Sequence, residues 1–219
     1  MAKVIIFGVG QIADIAHFYL TNDSEHQVVA FTVDKEFLSF RSFHDLPVVA
    51  YEELLEKYPP SDFKLFIPIS YKKVNKLRAE KFYDVKAKGY ECISYISSKA
   101  VYYDTPIGEN CFILEGNVIQ PFTEIGDNCI LWSGNHIGHH SKVGNHCFIA
   151  SHIVVSGSVT IGDYSFIGVN STVRDNVMIG DGNVIGAGSV ILSNTNANAV
   201  YSPKGTEKSR VPSNRLRNI

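Results

Sequence analysis

From Lys3 to about residue 98, short apolar runs alternate with stretches whose apolar positions recur at helical spacing. The runs at 3–8, 28–33, 64–69 and 90–95 predict strands. The intervening stretches 11–20, 51–58 and 72–88 predict helices, the second stopped by Pro59-Pro60 and the third by Gly89. Strands and helices in that order make βα units, so this half reads as a small doubly wound domain with a mostly parallel sheet. From Val101 the helical period disappears. An aliphatic residue instead occupies every sixth position: Val101, Ile107, Ile113, Ile119, Ile125, Leu131, Ile137, Val143, Ile149, Val155, Ile161, Ile167, Val173, Ile179, Ile185 and Ile191. These are sixteen successive hexads without an insertion. Glycine often follows the aliphatic, and the residue four after it is usually small, as at Cys111, Asn117, Thr123, Cys129, Asn135 and Ser141.

Such hexads resemble the left-handed parallel β-helix, in which three hexads form three flat faces and one 18-residue coil. The resemblance implies an aliphatic residue filling the prism at each face and a glycine-containing corner turning the chain. The expected fold class, its handedness taken from the resemblance, is an α/β N-terminal Rossmann-like parallel sheet domain followed by a left-handed parallel β-helix. The expected divisions are 1–98, 99–195 and a C-terminal tail, 196–219. Sixteen hexads make about five coils, with strands stacked roughly 4.8 Å apart. The period also places the cysteines. Cys111, Cys129 and Cys147 lie 18 apart and stack as one inward column continued by Ser165. No two cysteines have C-x2-C spacing, so a ladder of reduced thiols explains them better than a disulfide or a zinc site.

Composition adds exclusions. Twenty Lys+Arg against 22 Asp+Glu gives −2, with 19% charged and 45% hydrophobic residues, which argues against a dedicated nucleic-acid binder. The apolar run ended by Gly8 is too short for a signal peptide, and no later stretch approaches the length of a membrane span. A cytoplasmic protein is expected.

Five of the eight histidines lie between His136 and His152, where even scatter would place fewer than one. Counting each aliphatic as position one, His139 is at the third position, His140, His146 and His152 at the fourth, and His136 at the sixth. None replaces an inward aliphatic. His146 and His152 read as polar surface or subunit-interface residues. An imidazole beside a cleft suits proton abstraction near neutrality, and His139 is best placed for it. Its neighbours one coil below and above are Pro121 and Gly157. A glycine there leaves room for a ligand against the backbone, and its N–H could face a developing oxyanion.

A Rossmann-like half followed by hexads resembles the bacterial nucleotide-sugar N-acetyltransferases of the bacillosamine and perosamine acetyltransferase type, related to sialic acid O-acetyltransferase-like proteins. The similarity spans nearly the whole chain. It includes Ile137-Gly-His139-His140-Ser-Lys-Val-Gly144, Val155-Ser-Gly-Ser-Val-Thr-Ile161-Gly-Asp163, Phe166-Ile-Gly-Val-Asn-Ser-Thr-Val173 and Ile185-Gly-Ala-Gly-Ser-Val-Ile191. It implies a homotrimer with acetyl-CoA between adjacent helices and no metal. By the same resemblance His139 is the general base, Gly157 the oxyanion donor, and main chain around Val169 and Ala187 the coenzyme channel. The family commonly has an acidic residue after its histidine; this chain has His140, which leaves the orienting partner of His139 open.

The loop Gly8-Val-Gly10-Gln-Ile-Ala13 is an incomplete dinucleotide fingerprint after a strand, with Asp34 ending the next strand. A dehydrogenase reading would give that acid an NAD ribose, yet no separate catalytic domain follows. A purely structural loop is the other bland reading. In the family this crevice holds the nucleotide of the sugar substrate, which implies Gly8, Gly10, Gln11, Asp34, Ser70 and Tyr71 as its border. The tail from Tyr201 carries Lys204, Lys208, Arg210, Arg215 and Arg217 against Glu207, and reads as a solvated segment or a contact for coenzyme phosphates.

The expected function is acetyl transfer from acetyl-CoA to the amino group of a nucleotide-linked amino-deoxysugar for surface polysaccharide, with O-acetylation of a sugar hydroxyl as the near alternative. Two readings come from other classes: a zinc enzyme like the γ-carbonic anhydrases, whose H-x4-H spacing is absent here, and a non-catalytic nucleotide-binding scaffold.

Overall fold

The computed structural model describes residues 1–215; Arg217 of the basic tail lies outside them. The N-terminal lobe contains β1 (Lys3–Phe7), α1 (Gln11–Asn22), β2 (Gln27–Val33), β3 (Ser42–Phe43), β4 (Leu46–Ala50), α2 (Leu54–Lys57), β5 (Phe63–Phe66) and α3 (Lys76–Ala87). The sheet order is β3-β4-β2-β1-β5, and only the short β3–β4 pair is antiparallel. The order reverses at β1, so the crevice expected of such a sheet opens between the carboxyl ends of β1 and β5. Gly8, at φ 111, leaves β1 in a backbone conformation suited to glycine, and Gly10 caps α1 without a side chain.

Several elements differ from the sequence pattern. The helix expected over 51–58 begins as a 3-10 turn, Tyr51–Glu53, and keeps one α-helical turn before Pro59. The helix expected from 72 starts only at Lys76, after Lys73, Val74 and Asn75 in left-handed conformations. The strand expected over 90–95 is divided between the lobes. Cys92 bridges to Leu65, whereas Tyr95–Ile96 joins the next sheet beside Phe112–Ile113.

The remainder is the coiled prism. Its first face stacks Tyr95–Ile96, Phe112–Ile113, Ile130–Leu131, Phe148–Ile149, Phe166–Ile167, Val184–Ile185 and Val200–Tyr201. The second stacks Val118–Ile119, His136–Ile137, Val154–Val155, Thr172–Val173 and Val190–Ile191. The third stacks Glu124–Ile125, Lys142–Val143, Thr160–Ile161 and Met178–Ile179. All pairs are parallel and most are 18 residues apart, as at Phe148↔Phe166. Position one is inward from Ile113 onward: Ile119, Leu131, Ile137, Ile149, Val155, Ile167 and Val173 have no exposed surface. Val101, at the open start of the coil, is 51% exposed and Ile107 is half-buried, so the first two hexads do not fill the prism as the pattern implied. Position five is inward too. The thiols of Cys111, Cys129 and Cys147 are free and fully buried, and each reaches a glycine carbonyl of the next coil: Gly126, Gly144 and Gly162.

The corners divide two tasks that the hexad pattern leaves merged. The position-two glycines are not the turning residues. A Cβ added to Gly126, Gly138, Gly162 or Gly180 would come within 2.9 Å or less of the next coil's atoms, so glycine there permits close stacking. The turn is made at position four, where Asn110, Gly116, Phe122, Asn128, Gly134, His140, His146, His152 and their successors all have positive φ. Asparagine and glycine are natural in that conformation, and Phe122 is a costlier occupant.

The lobes share one core. Val4, Ile6, Phe31 and Phe66 belong to the same buried cluster as Phe112, Ile130 and the prism interior, with Phe66 edge-on to Phe112 at 5.2 Å. The opposite face of the N-terminal sheet packs Ile5, Ala30 and Leu65 against Leu54, Phe82 and Val85.

Candidate active site

His139 sits on the corner between the second and third faces. The position-four turn at His140 throws the position-three side chain outward, so both imidazoles are exposed. A Cβ added to Gly157 would lie 2.6 Å from Cε1 and 2.8 Å from Nε2 of His139. The space above His139, which the sequence reading assigned to a ligand, is therefore filled by the imidazole itself. Gly157 is what allows the ring to lie flat on the next coil. The His139 backbone N–H donates to Gln120 Oε1 at 2.9 Å, and its carbonyl accepts from the Ser158 N–H at 2.8 Å, which fixes the main chain beneath the ring.

The His139 ring meets His140: the two Nδ1 atoms are 3.0 Å apart. A neutral imidazole has one N–H, so one ring donates and the other accepts. With His139 Nδ1–H donating, its Nε2 carries the lone pair. Phe122 lies one coil below His140, ring centroids 4.7 Å apart, and is 74% exposed. Sequence reasoning missed Gln120 and Phe122. The 18-residue period carried the signal for both, since each stacks directly beneath the Gly138–His140 corner.

Main-chain amides differ among the corners. On the corner between the third and first faces, position-three amides are capped by a ladder: Asp127 N–H donates to Asn145, Asn145 N–H to Asp163, and Asp163 N–H to Asp181. Among the described residues, the N–H groups of Gly157, Val169 and Ala187 have no protein acceptor. These amides are free for a ligand.

Val169 and Ala187 lie on the corner between the first and second faces, not on that of His139. They meet the N-terminal lobe instead. Ile12 at the start of α1 and Tyr71 beyond β5 close over Trp132, Phe148, Phe166, Val169 and Ala187, leaving an apolar groove of about 470 Å³. The Tyr71 ring lies 4.9 Å from both Phe148 and Phe166. Gly8, Gly10, Gln11 and Ser70 stand at the same sheet ends. Asp34 is already engaged, its carboxylate accepting from Lys81 Nζ at 2.7 Å. The groove thus joins Tyr71, expected at the nucleotide crevice, with Val169 and Ala187, expected at the coenzyme channel, and His139 and Gly157 lie apart from it, across the second face.

His146 corrects the surface reading. It is 1% exposed at the lobe junction, with Nε2 2.8 Å from Tyr83 Oη and Nδ1 2.9 Å from Asn128 Nδ2. Burial, with the Arg78 cation adding to it, pushes its pKa down to about 4. His140, His146 and His152 stand on three different corners. Among the described residues no three His, Cys, Asp or Glu side chains are grouped to hold a metal. No helix there is long and apolar enough to cross a membrane.

The geometry defines the class first: an N-terminal Rossmann-like lobe on a left-handed parallel β-helix. Residues 104–139, 140–175 and 158–193 match the model for bacterial transferase hexapeptide (six repeats), so the coil is a hexapeptide-repeat array. Among solved structures the chain is similar to a mutant of perosamine N-acetyltransferase from Caulobacter crescentus in complex with CoA and GDP-perosamine. The identity is 24% over 91% of this chain and 93% of that one, with a TM-score of 0.81. It is also similar to the acetyltransferase domain of PglB from Neisseria gonorrhoeae, at 21% identity, 91% and 96% coverage and a TM-score of 0.78. WeeI from Acinetobacter baumannii matches at 18% identity over 91% and 96%, with a TM-score of 0.76. No curated protein sequence matches the chain.

Proposed function

We propose that this protein transfers the acetyl group of acetyl-CoA to the amino group of a nucleotide-linked amino-deoxysugar, with residues 1–98 holding the nucleotide and the hexad coil the chemistry. The carrying observation is the His139 ring lying on Gly157, in contact with His140, at a residue whose main-chain N–H has no acceptor among the described residues. The acceptor amine attacks the thioester carbon. His139 Nε2 takes the amine proton, and the Gly157 N–H donates to the carbonyl oxygen as it gains charge. Collapse breaks the C–S bond, and the His139 imidazolium gives the amine's proton to the departing sulfur, releasing CoA as the thiol and restoring the base. No nucleophilic Ser or Cys is required, and the coil thiols are buried in the prism. The free amides at Val169 and Ala187 suit the pantetheine amides of the coenzyme. The solved neighbour's complex with CoA and GDP-perosamine supports the same pairing of substrates.

A homotrimer is part of this reading. His139 and Gly157 border one edge of the second face, and Val169 and Ala187 border the other. Three prisms packed by their second faces around an axis would set the first edge of one protomer against the second edge of its neighbour.

The test is thiol release from acetyl-CoA with UDP-, dTDP- and GDP-linked amino sugars. His139→Ala should lower turnover by about a hundredfold or more, the scale of losing a positioned base, with folding unchanged. His140→Ala should cost less. The opposite ranking would move the base to His140. Unchanged turnover in both variants would remove the base from this corner, and no turnover in the wild type would favour a non-catalytic scaffold.

A further inference from the structure

The turn between β5 and α3 is strained. Lys73, Val74 and Asn75 have φ of 53°, 51° and 62°, three successive non-glycine residues in the left-handed region, one of them β-branched. Such conformations persist only where the surroundings enforce them. The enforcement is visible. Asn75 is fully buried, and its Nδ2 donates to the carbonyls of Tyr164 and Ser165 on the coil at 3.1 and 3.2 Å. Arg78 is also fully buried. Its Nε donates to Asn128 O at 3.2 Å, Nη1 to Ile69 O at 3.1 Å, Ser70 O at 3.3 Å and Asn75 Oδ1 at 3.2 Å, and Nη2 to His146 O at 3.1 Å and Cys147 O at 3.0 Å.

All six acceptors are neutral, and among the described residues no carboxylate pairs with this cation. An unpaired buried charge opposes stability, so the fold bears its desolvation as well as the strain of the turn. Both converge on one segment, the loop from Ser70 to Asn75 that carries Tyr71. Arg78 binds the two carbonyls just before Tyr71 with one nitrogen and two coil carbonyls with another. The coil carbonyls precede Phe148, against which the Tyr71 ring packs.

We infer that Arg78 is a positioning residue for the acceptor: it pins Ser70 and Tyr71 to the coil, so that the apolar groove between the lobes presents a fixed aromatic wall to the nucleotide-linked sugar. The inference rests on the proposed acceptor class and deepens it. Arg78 touches no substrate; it acts through Tyr71. A guanidinium suits the task because its planar fork reaches several carbonyls in fixed directions, which an ammonium does not.

The experiment compares the wild type with Arg78→Lys and Arg78→Met. Each is checked for cooperative unfolding and assayed with acetyl-CoA and whichever UDP-, dTDP- or GDP-linked amino sugar the wild type turns over best. A displaced wall should raise the acceptor KM by about tenfold or more, and by more than the acetyl-CoA KM, whose site at Val169 and Ala187 borders the same groove, leaving turnover at saturation of both substrates within about twofold. A lowered melting temperature with both KM values unchanged would reduce Arg78 to lobe adhesion and overturn the inference. If the Met variant does not fold, the Lys variant decides. Wild-type inactivity on all acceptors would defeat the acetyl-transfer reading alone. Trp132, the chain's one tryptophan, lines the groove, so acrylamide quenching still reads the clamp without turnover. Stronger quenching in the Lys variant supports the clamp, and equal quenching overturns it.

Discussion

Gly157 does two things for His139 that no other residue type does together. It leaves a place for the ring, and it brings a free N–H beside the ring's reactive edge. Its φ is outside the left-handed region, so alanine can adopt the same backbone. The added methyl would lie 2.6 Å from Cε1, and the imidazole must swing away. We expect Gly157→Ala to fold like the wild type and to lose about a hundredfold in turnover, as a displacement of about 1 Å in a reacting group can cost. Equal turnover in that variant would show that the ring does not act from this position. The pairing of His139 with Gly157 was legible because a strict 18-residue coil turns sequence separation into vertical stacking. Who occupies the space was not legible, since a side chain's rotamer depends on neighbours such as Gln120 and His140 that the period locates but does not orient.

Among elements, the coil was the most legible, each hexad repeating one local requirement: an inward aliphatic and a small inward residue. The left-handed residue at position four was not recognised, because asparagine, histidine, serine and tyrosine all serve there and no single type marks it. The junction between lobes carried no pattern at all. Arg78 meets Asn128 and His146 across separations of 50 and 68 residues, and His146 looked like one more surface histidine of the cluster. Its burial has a consequence in pH. An unfolded imidazole titrates near 6.5 and the folded one near 4. Between these values the unfolded chain binds a proton that the folded chain refuses. The stabilisation is complete above about 6.5 and is lost as pH falls toward 4, by about 3 kcal/mol in all. Asp23 acts in a lower window. Hydrogen bonds from Ser98 and Tyr95 hold its carboxyl well below the usual range, so its contribution is lost only below about 3.8. Melting temperature followed from pH 7 to 4.5 should fall more steeply in the wild type than in His146→Gln. Parallel curves would place the titrating group elsewhere.

At the scale of the molecule, the three faces of the prism meet different surroundings. The first face turns Phe112, Ile130 and Phe148 into the N-terminal lobe, where all three are buried. The third presents Glu124, Lys142, Thr160 and Met178, with Glu124 and Lys142 paired at 3.0 Å, an ordinary solvated surface. The second presents Val118, His136, Val154, Thr172 and Val190, and within one protomer Val154 remains 44% and Val190 64% exposed. A mostly apolar stripe on a flat sheet, bordered by the two corners that carry the halves of the proposed site, is suited to burial against copies of itself around a threefold axis. Val154→Glu tests this. In a lone protomer the new carboxylate would stand in water at little cost, whereas a trimer would bury three unpaired charges near one another. We expect a folded monomer by sedimentation equilibrium, without turnover, since each site would keep its base and lose the neighbour's coenzyme amides. Thr160→Glu, six residues on and facing outward from the third face beside Lys142, is the matched control and should stay trimeric and active. A Val154→Glu protein that remains trimeric would place the contact on another face; a monomer with full turnover would show that each protomer carries a complete site.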